Sequence, residues 1–363
     1  MHHIHAQPMR HFVGQIFAAA GCHADEAARV ARYLVEANLT GHDSHGVIRV
    51  PRYINWLKTG RVVPNQTIQV VSENDVLAVI DGRYGFGQSV GEQAVSRGID
   101  KARANGVSIV ALRNSGHLGR IGDWAELAAA HDLISVHFVN TTGLGMLVAP
   151  FGTAERRFST NPFAVGVPVK GRWPLILDFA TSIVAEGKIL VAVNGGKPLP
   201  EGALIDGQGH PTNNPEAVYG KLTSTQPLDS RSGTGAIRAM GEHKGSGLSF
   251  MCEILAGALT GGGCARKNET QLVNGMLSIF MAVDRFDSGD YYAAEVERYV
   301  AFVKSARAIE VGGEVLLPGE PEQRNRETRA KHGLPLTAAT WDSIVATASE
   351  LDIAQAQIPA AAE

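Results

Sequence analysis

Apolar residues in the first sixty positions recur at three- and four-residue spacings. Phe12, Ile16 and Phe17 predict a helix over 8–21, and Val30, Leu34 and Val35 a second over 24–39. Val47, Val50, Ile54 and Leu57 predict a third over about 46–58. Asp43 or Ser44 is placed to cap it, and Lys58 with Gly60 to stop it. Beyond Pro64 the pattern changes. Short apolar runs predict strands over 68–71 and 76–80, with a turn at Asp81-Gly82. A helix over 87–105 stopped by Gly106, a strand over 107–112, a helix over 122–131 and a strand over 134–139 follow. That alternation predicts an α/β lobe with several parallel neighbours. Further strands are expected over 164–169 and 175–179. Pro198, Pro200, Pro211 and Pro215 then mark a Gly/Pro-rich connector over 195–240, expected to be irregular and lid-like. A helix over 244–259 ends at Gly261-Gly262-Gly263, a strand covers 276–283 and a helix 291–306. Two amphipathic helices are expected after 319. The chain therefore divides into a helical lobe, 1–65 with 310–363, and an α/β lobe over 66–309.

Composition adds little beyond class. The 363 residues are 44% hydrophobic and 19% charged, a globular balance long enough for two lobes. A net charge of −3 speaks against general nucleic-acid binding. No apolar run reaches the ~18 residues that would span a bilayer, and the start, MHHIHAQPMRH, lacks the order of a secretory signal. Cys22, Cys252 and Cys264 have no metal or redox spacing, which fits a reducing cytoplasm.

The chemistry concentrates in Gly41-His42-Asp43-Ser44-His45-Gly46 and the segment Val47-Ile48-Arg49-Val50-Pro51-Arg52-Tyr53. In one helix, His45 and Arg49 would share a side near its positive end. A guanidinium binds a carboxylate in bidentate fashion, and an imidazole with a reference pKa near ~6.5 exchanges a proton near neutrality. The pair suits a small organic acid whose neighbouring carbon carries an oxygen to be protonated. Two other readings stand beside it. Ser44 could simply cap the helix while Arg49 and Arg52 face solvent, or His42, Asp43 and His45 could hold a metal for a hydrolase or lyase. The metal reading lacks a downstream ligand in zincin spacing.

A nucleotide site would need a backbone cradle. The chain has neither Gly-x-Gly-x-x-Gly nor Gly-Lys-Ser/Thr, which argues against a standard Rossmann domain and a P-loop. Three glycine-punctuated turns remain as candidates, at 114–122, 243–247 and 317–320.

Side by side, GHDSHGVIRVPRY (41–53), NSGHLGRIGDWAE (114–126), VAPFG (148–152), STNPFAVGVP (159–168), LDFATS (177–182), HKGSGLSFMCEILAGALTGG (243–262) and LLPGE (316–320) carry a resemblance. The chain resembles the malate/L-lactate dehydrogenase-like family of NAD(P)-dependent 2-hydroxyacid dehydrogenases, a type 2, non-Rossmann group. Within it the chain is most similar to the branch that reduces 2-oxo acids of mixed side chain. The resemblance implies an α/β, sulfolactate/malate dehydrogenase-like fold, its cofactor lobe packed on a helical lobe built from both termini. It implies a homodimer, NAD or NADP as cofactor, a small 2-hydroxy or 2-oxo acid as substrate, and no bound metal. His45 would be the proton donor, Ser44 its orienting partner and Arg49 the carboxylate clamp. His117 competes for the proton-transfer role, and Thr160 would lie at the substrate. Cofactor contacts would fall on His117, Leu118, Gly119, Arg120 and Ile121, on Thr141, on Asp178, Phe179 and Ala180, on Lys244, and on Pro318, Gly319 and Glu320. Lys188 stands where the family's cyclic-imine reductases carry an aspartate, which tells against an imine substrate; ureidoglycolate, diketogulonate and a cyclic imine acid stand as the alternatives. Thr153 and Ser159 are milder departures.

Overall fold

A computed structural model describes residues 1–193, 197–221, 231–287 and 289–360. The first two predicted helices form as Ala6–Ala19 and Ala24–Leu39 and pack through Phe12, Ile16, Phe17, Val30 and Leu34, all inaccessible to solvent. The same apolar cluster takes in Val50, Tyr53, Ile54 and Phe86, and from the far end of the chain Leu334, Leu336 and Ile344. Both ends of the chain thus contribute to one helical layer. The antiparallel pairing of His2–Ile4 with Leu334–Leu336 joins them further.

The third helix is shorter than its periodicity predicts. It runs Val50–Lys58, with Arg49 rather than Asp43 or Ser44 at its cap position. Pro51 has no N–H to give the carbonyl four residues back, so a regular helix cannot continue upstream through it. The chain instead enters by two 3₁₀ turns, Asp43–His45 and Val47–Arg49, hinged at an extended Gly46.

The α/β layer departs from the expected parallel order. Its seven strands lie in the order Gln69–Glu73, Leu77–Asp81, Val107–Ser115, Asn274–Ala282, Leu133–Thr141, Phe163–Val167, Leu175–Phe179. Leu77–Asp81 and Val107–Ser115 pair in parallel, and every other neighbouring pair is antiparallel. The cause is Asn274–Ala282, which inserts from far along the chain between Val107–Ser115 and Leu133–Thr141. Leu175–Phe179 is left as an edge strand.

The connector is not irregular throughout. Leu204–Ile205, Pro211–Thr212 and Ala236–Arg238 join Val148–Ala149 in a small four-stranded sheet. Leu147, Phe158, Ile189, Leu204, Val218 and Ile237 form its core. Residues 195, 196 and 222–230 of that span lie outside the described residues.

After Pro318-Gly319 the chain forms the helices Glu320–His332 and Ala338–Ser349. The first is not amphipathic: none of its residues is buried. Charge holds it instead. Arg326 pairs with Glu36 at 2.6 Å and Glu126 at 2.7 Å, and Arg329 with Asp43 at 2.6 Å. Among the described residues no helix is long and apolar enough to cross a membrane.

Candidate active site

The two 3₁₀ turns aim the Gly41–Gly46 motif at the sheet. Asn38, at the end of Ala24–Leu39, fixes their register: its Oδ1 accepts from Val47 N at 2.8 Å and its Nδ2 donates to Asp43 Oδ1 at 2.6 Å. A Cβ on Gly46 would collide with the Asn38 amide. Arg329 grips both Asp43 oxygens, at 2.6 and 3.1 Å, and His42 Nε2 lies 3.3 Å from Glu322. His42, Asp43 and His45 are thus committed to three different partners. Among the described residues no three His, Cys, Asp or Glu side chains converge as a metal site.

His45 meets His117 instead. Their rings stack 5.6 Å apart at 12°. His117 belongs to the loop that follows Val107–Ser115, and Gly87 packs so closely on its carbonyl that any side chain there would collide with it. His45 Nδ1 lies 3.0 Å from Ser44 Oγ, and His117 Nδ1 lies 2.7 Å from Tyr53 Oη. Gln88 Nε2 donates to the same Tyr53 oxygen at 3.2 Å. With one of its acceptor positions filled by Gln88, the tyrosine turns its own proton to His117 Nδ1, which leaves His117 as the Nε2–H tautomer. Ser44 can either donate or accept, so it supports His45 with or without a proton on Nε2.

The surroundings hold both imidazoles neutral. Burial presses the His45 pKa well below its ordinary value, followed by repulsion from Arg49, His42 and Arg120. Burial acts likewise on His117, followed by Arg49 and His45. Arg49 itself donates its Nε to the Ser44 carbonyl at 2.6 Å. Its two Nη groups, the edge that grips a carboxylate, have no hydrogen-bond partner among the described residues. Nearby, Glu186 accepts from Arg231 Nε at 2.8 Å and from Tyr219 Oη at 3.3 Å, and lies 4.0 Å from Arg52. Burial would raise its pKa, but Arg231, Arg52 and Arg49 together hold it below the carboxylate range.

The remaining candidates occupy the sheet's edge and floor. Asp178 Oδ2 accepts from Gly122 N at 2.7 Å, binding the end of Leu175–Phe179 to the loop at 117–121. Arg120 is buried beneath that loop against Asp123 and Glu126, each at 2.9 Å; its Nε lies 3.9 Å from Asp178 Oδ2, and neither Nε nor Nη2 has a hydrogen-bond partner among the described residues. The Thr160 carbonyl accepts from Thr181 N at 2.9 Å and Thr181 Oγ1 at 3.0 Å. Lys244 is exposed in the first turn of His243–Cys252, next to Gly245, where any side chain would collide with the Met240 carbonyl. Gly319 adopts φ +89°, with the Pro318 carbonyl accepting from Ile176 N at 3.2 Å. Beside it opens a cavity of about 420 Å³ bordered by Arg172, Trp173, Ile176, Gln323 and Arg326. Glu320 is engaged by Lys304 at 2.7 Å and Arg172 at 3.3 Å.

Tyr53, Gln88, Asn38 and Arg329 were not singled out from the sequence. Tyr53 had a signal, since it lies one helical turn beyond Arg49. The others reach the site only through the tertiary fold.

A family model described as malate/L-lactate dehydrogenase matches residues 4–345. Hydroxycarboxylate dehydrogenase B of Escherichia coli K12 is 39% identical, over 99% of this chain and 97% of that protein. L-lactate dehydrogenase of Cupriavidus necator is 34% identical, over 95% of this chain and 97% of its own length. The solved sulfolactate dehydrogenase of Methanocaldococcus jannaschii superposes with a TM-score of 0.84 at 31% identity, covering 97% of this chain and 98% of that one. A helical layer closed by both termini, a largely antiparallel seven-stranded sheet and likeness along nearly the whole chain agree: it belongs to the malate/L-lactate dehydrogenase family.

Proposed function

We propose that the protein is an NAD(P)-dependent oxidoreductase that interconverts a small 2-hydroxy acid and its 2-oxo acid. The observation that carries this reading is the stacked His45–His117 pair beside an arginine whose carboxylate-binding edge is uncommitted. Arg49 holds the substrate carboxylate and so fixes where the adjacent C2 oxygen lies. His45, protonated as the anionic substrate binds, gives its Nε2 proton to that oxygen on reduction and takes it back on oxidation, its Nδ1–H donating to Ser44 Oγ in both states. His117, fixed as a donor by Tyr53, steadies the oxygen from the second imidazole. Thr160 borders the substrate. The anionic substrate offsets the charge of Arg49, which otherwise suppresses protonation of His45.

The residues present fit a nicotinamide dinucleotide. The left-handed turns at Gly119 (φ +74°) and Gly319 keep backbone open for close approach, and Arg120 leaves buried donors unpaired under the loop. Leu118–Ile121, Thr141, Asp178 to Ala180, Lys244 and Pro318 to Glu320 would hold the group, which exchanges a hydride with C2 when bound. We take the working form to be a cytoplasmic homodimer. Phe250, Met251, Ile254 and Leu259 leave an apolar face on the segment 243–259, exposed by 53, 45, 38 and 63%, that a second copy would cover.

The test is a screen of 2-oxo acids, monitored by nicotinamide absorbance with NADH and with NADPH, with and without a chelator. Chelator-insensitive oxidation of a reduced cofactor by at least one 2-oxo acid is expected. No turnover with any of them, or chelator-sensitive hydrolysis without an absorbance change, would contradict the reading.

A further inference from the structure

Next to the segments read as the site lies a buried polar network that the proposed chemistry does not use. Glu253 is 4% exposed and stands where the helix His243–Cys252 widens into a π-helical turn, Glu253–Ala258. Such a turn interrupts regular packing and recurs at functional sites. Three N–H donors converge on its two oxygens: Asn161 Nδ2 at 2.9 Å on Oε1, and Asn140 Nδ2 at 3.1 Å and Ala265 N at 3.0 Å on Oε2. An acceptor-only carboxylate satisfies all three; an amide cannot.

The network reaches those segments through hydrogen bonds. Asn161 is fully buried and sits at φ +28°, a backbone state disfavoured for a residue with a side chain. Its Oδ1 accepts from Thr141 N at 3.2 Å, and its Nδ2 also donates to Ser249 Oγ at 3.1 Å. Asn140 accepts from Gly275 N at 3.1 Å and, through its carbonyl, from Asn274 Nδ2 at 3.0 Å. Asn274 in turn donates to Thr141 Oγ1 at 2.7 Å and accepts from Leu118 N at 2.9 Å. Leu118, in the loop after Val107–Ser115, and Thr141, at the end of the strand Leu133–Thr141, are tied by hydrogen bonds to one carboxylate, and Thr160 is the chain neighbour of Asn161.

We infer that Glu253 is a positioning residue for the reaction. It fixes the amide orientation of Asn161 and Asn140, and through them the relative placement of the 118, 141 and 160 segments. The inference rests on the reading of those segments as the substrate and cofactor site. Glu253 touches neither reactant.

The amide logic supplies the test. In E253Q an NH₂ replaces one acceptor and opposes at least one donor. Flipping Asn161 to meet it would turn an NH₂ toward Thr141 N. Adding N161D restores an acceptor facing the new amide, keeps the net charge, still accepts from Thr141 N and can accept from Ser249 Oγ, giving up only the 3.3 Å donation to the Ser249 carbonyl. E253Q should lower kcat by about 100-fold, the scale of an ångström-level misplacement. The KM for the 2-oxo acid, set by Arg49, should change little, and E253Q/N161D should regain most of the loss. Kinetics on the full chain are read beside thermal melting and near-UV circular dichroism. Kinetics near wild type in E253Q overturn the inference, as does a lower melting temperature with kcat unchanged. A double variant no better than E253Q also overturns it, and this comparison holds even where E253Q alone fails to fold. Inactivity of the wild-type chain toward every 2-oxo acid would instead reject the functional reading itself.

Discussion

Replacing Tyr53 by phenylalanine removes one oxygen and leaves the aromatic packing in place. The ring is 1% exposed and lies against Phe17, Phe86 and Trp56, with centroids 6.5, 6.0 and 5.5 Å away. Y53F should therefore fold. The lost hydroxyl strands two polar groups, the buried Gln88 Nε2 and the half-buried His117 Nδ1. Leaving a buried polar group unsatisfied costs about 1–3 kcal/mol, so the two together cost about 2–6 kcal/mol, and the lower end is expected because His117 is only half-buried. The kinetic effect is separate. Without the hydroxyl, nothing selects the His117 tautomer that presents Nε2–H, and the ring loses its anchor. Loss of one neutral hydrogen bond's worth of transition-state stabilisation, about 1.4 kcal/mol, lowers kcat about tenfold. Arg49 is untouched, so KM for the acid should stay within about twofold, well under one hydrogen bond's worth of binding. Steady-state oxidation of reduced nicotinamide by a 2-oxo acid, with urea unfolding of the same samples, measures both. A destabilised variant with wild-type kcat would refute the assignment of Tyr53 as the group that orients His117.

Three further outcomes follow from the same geometry. R49A should raise KM for the acid by about 10- to 100-fold, the scale of a charge-assisted hydrogen bond, and an unchanged KM would count against the clamp. G46A forces a methyl group against the Asn38 amide; overpacking of about 1–3 kcal/mol and displacement of His45 should lower kcat/KM with cofactor affinity largely retained, as cofactor fluorescence titration would show. His137, inaccessible between Ser278 at 2.8 Å and Ser135 at 3.0 Å, has its pKa lowered by burial to about 3. Its neutral form is favoured by folding, so this contribution is intact above pH ~6.5 and is lost as pH falls toward the folded value. At pH 5 the loss is about 2 kcal/mol, and urea midpoints of wild type and H137Q at pH 7 and pH 5 should diverge accordingly; parallel pH dependences would contradict it.

Much of this was legible in the chain because local patterns governed it. The period of Phe12, Ile16, Phe17, Val30 and Leu34 gave two helices, and the motif from Gly41 to Tyr53 already held His45, Ser44, Arg49 and the unremarked Tyr53. The errors share a cause, which is that distant parts of the chain decide local outcomes. Strand direction could not be read, because Asn274–Ala282 reaches the middle of the sheet across more than a hundred intervening residues. The helix Glu320–His332 was misjudged because it docks by Arg326 and Arg329 rather than by an apolar stripe. The third helix was overextended because the apolar spacing of Val47 and Val50 outweighed the break that Pro51 imposes. Asn140 and Asn274 left no signal, and Asn161 stood in the stretch 159–168 with nothing to set it apart from its neighbours. A buried asparagine and a surface one read alike until their partners are known.

The central claim is that His45 moves the proton while other residues hold the cofactor. Its most direct test is H45A, assayed for reduction of the best 2-oxo acid and titrated with reduced nicotinamide cofactor by fluorescence. The account predicts that turnover falls by at least about a hundredfold while cofactor affinity stays near that of wild type. Turnover close to wild type, at any pH between 6 and 8 where an imidazole ordinarily exchanges its proton, would contradict it.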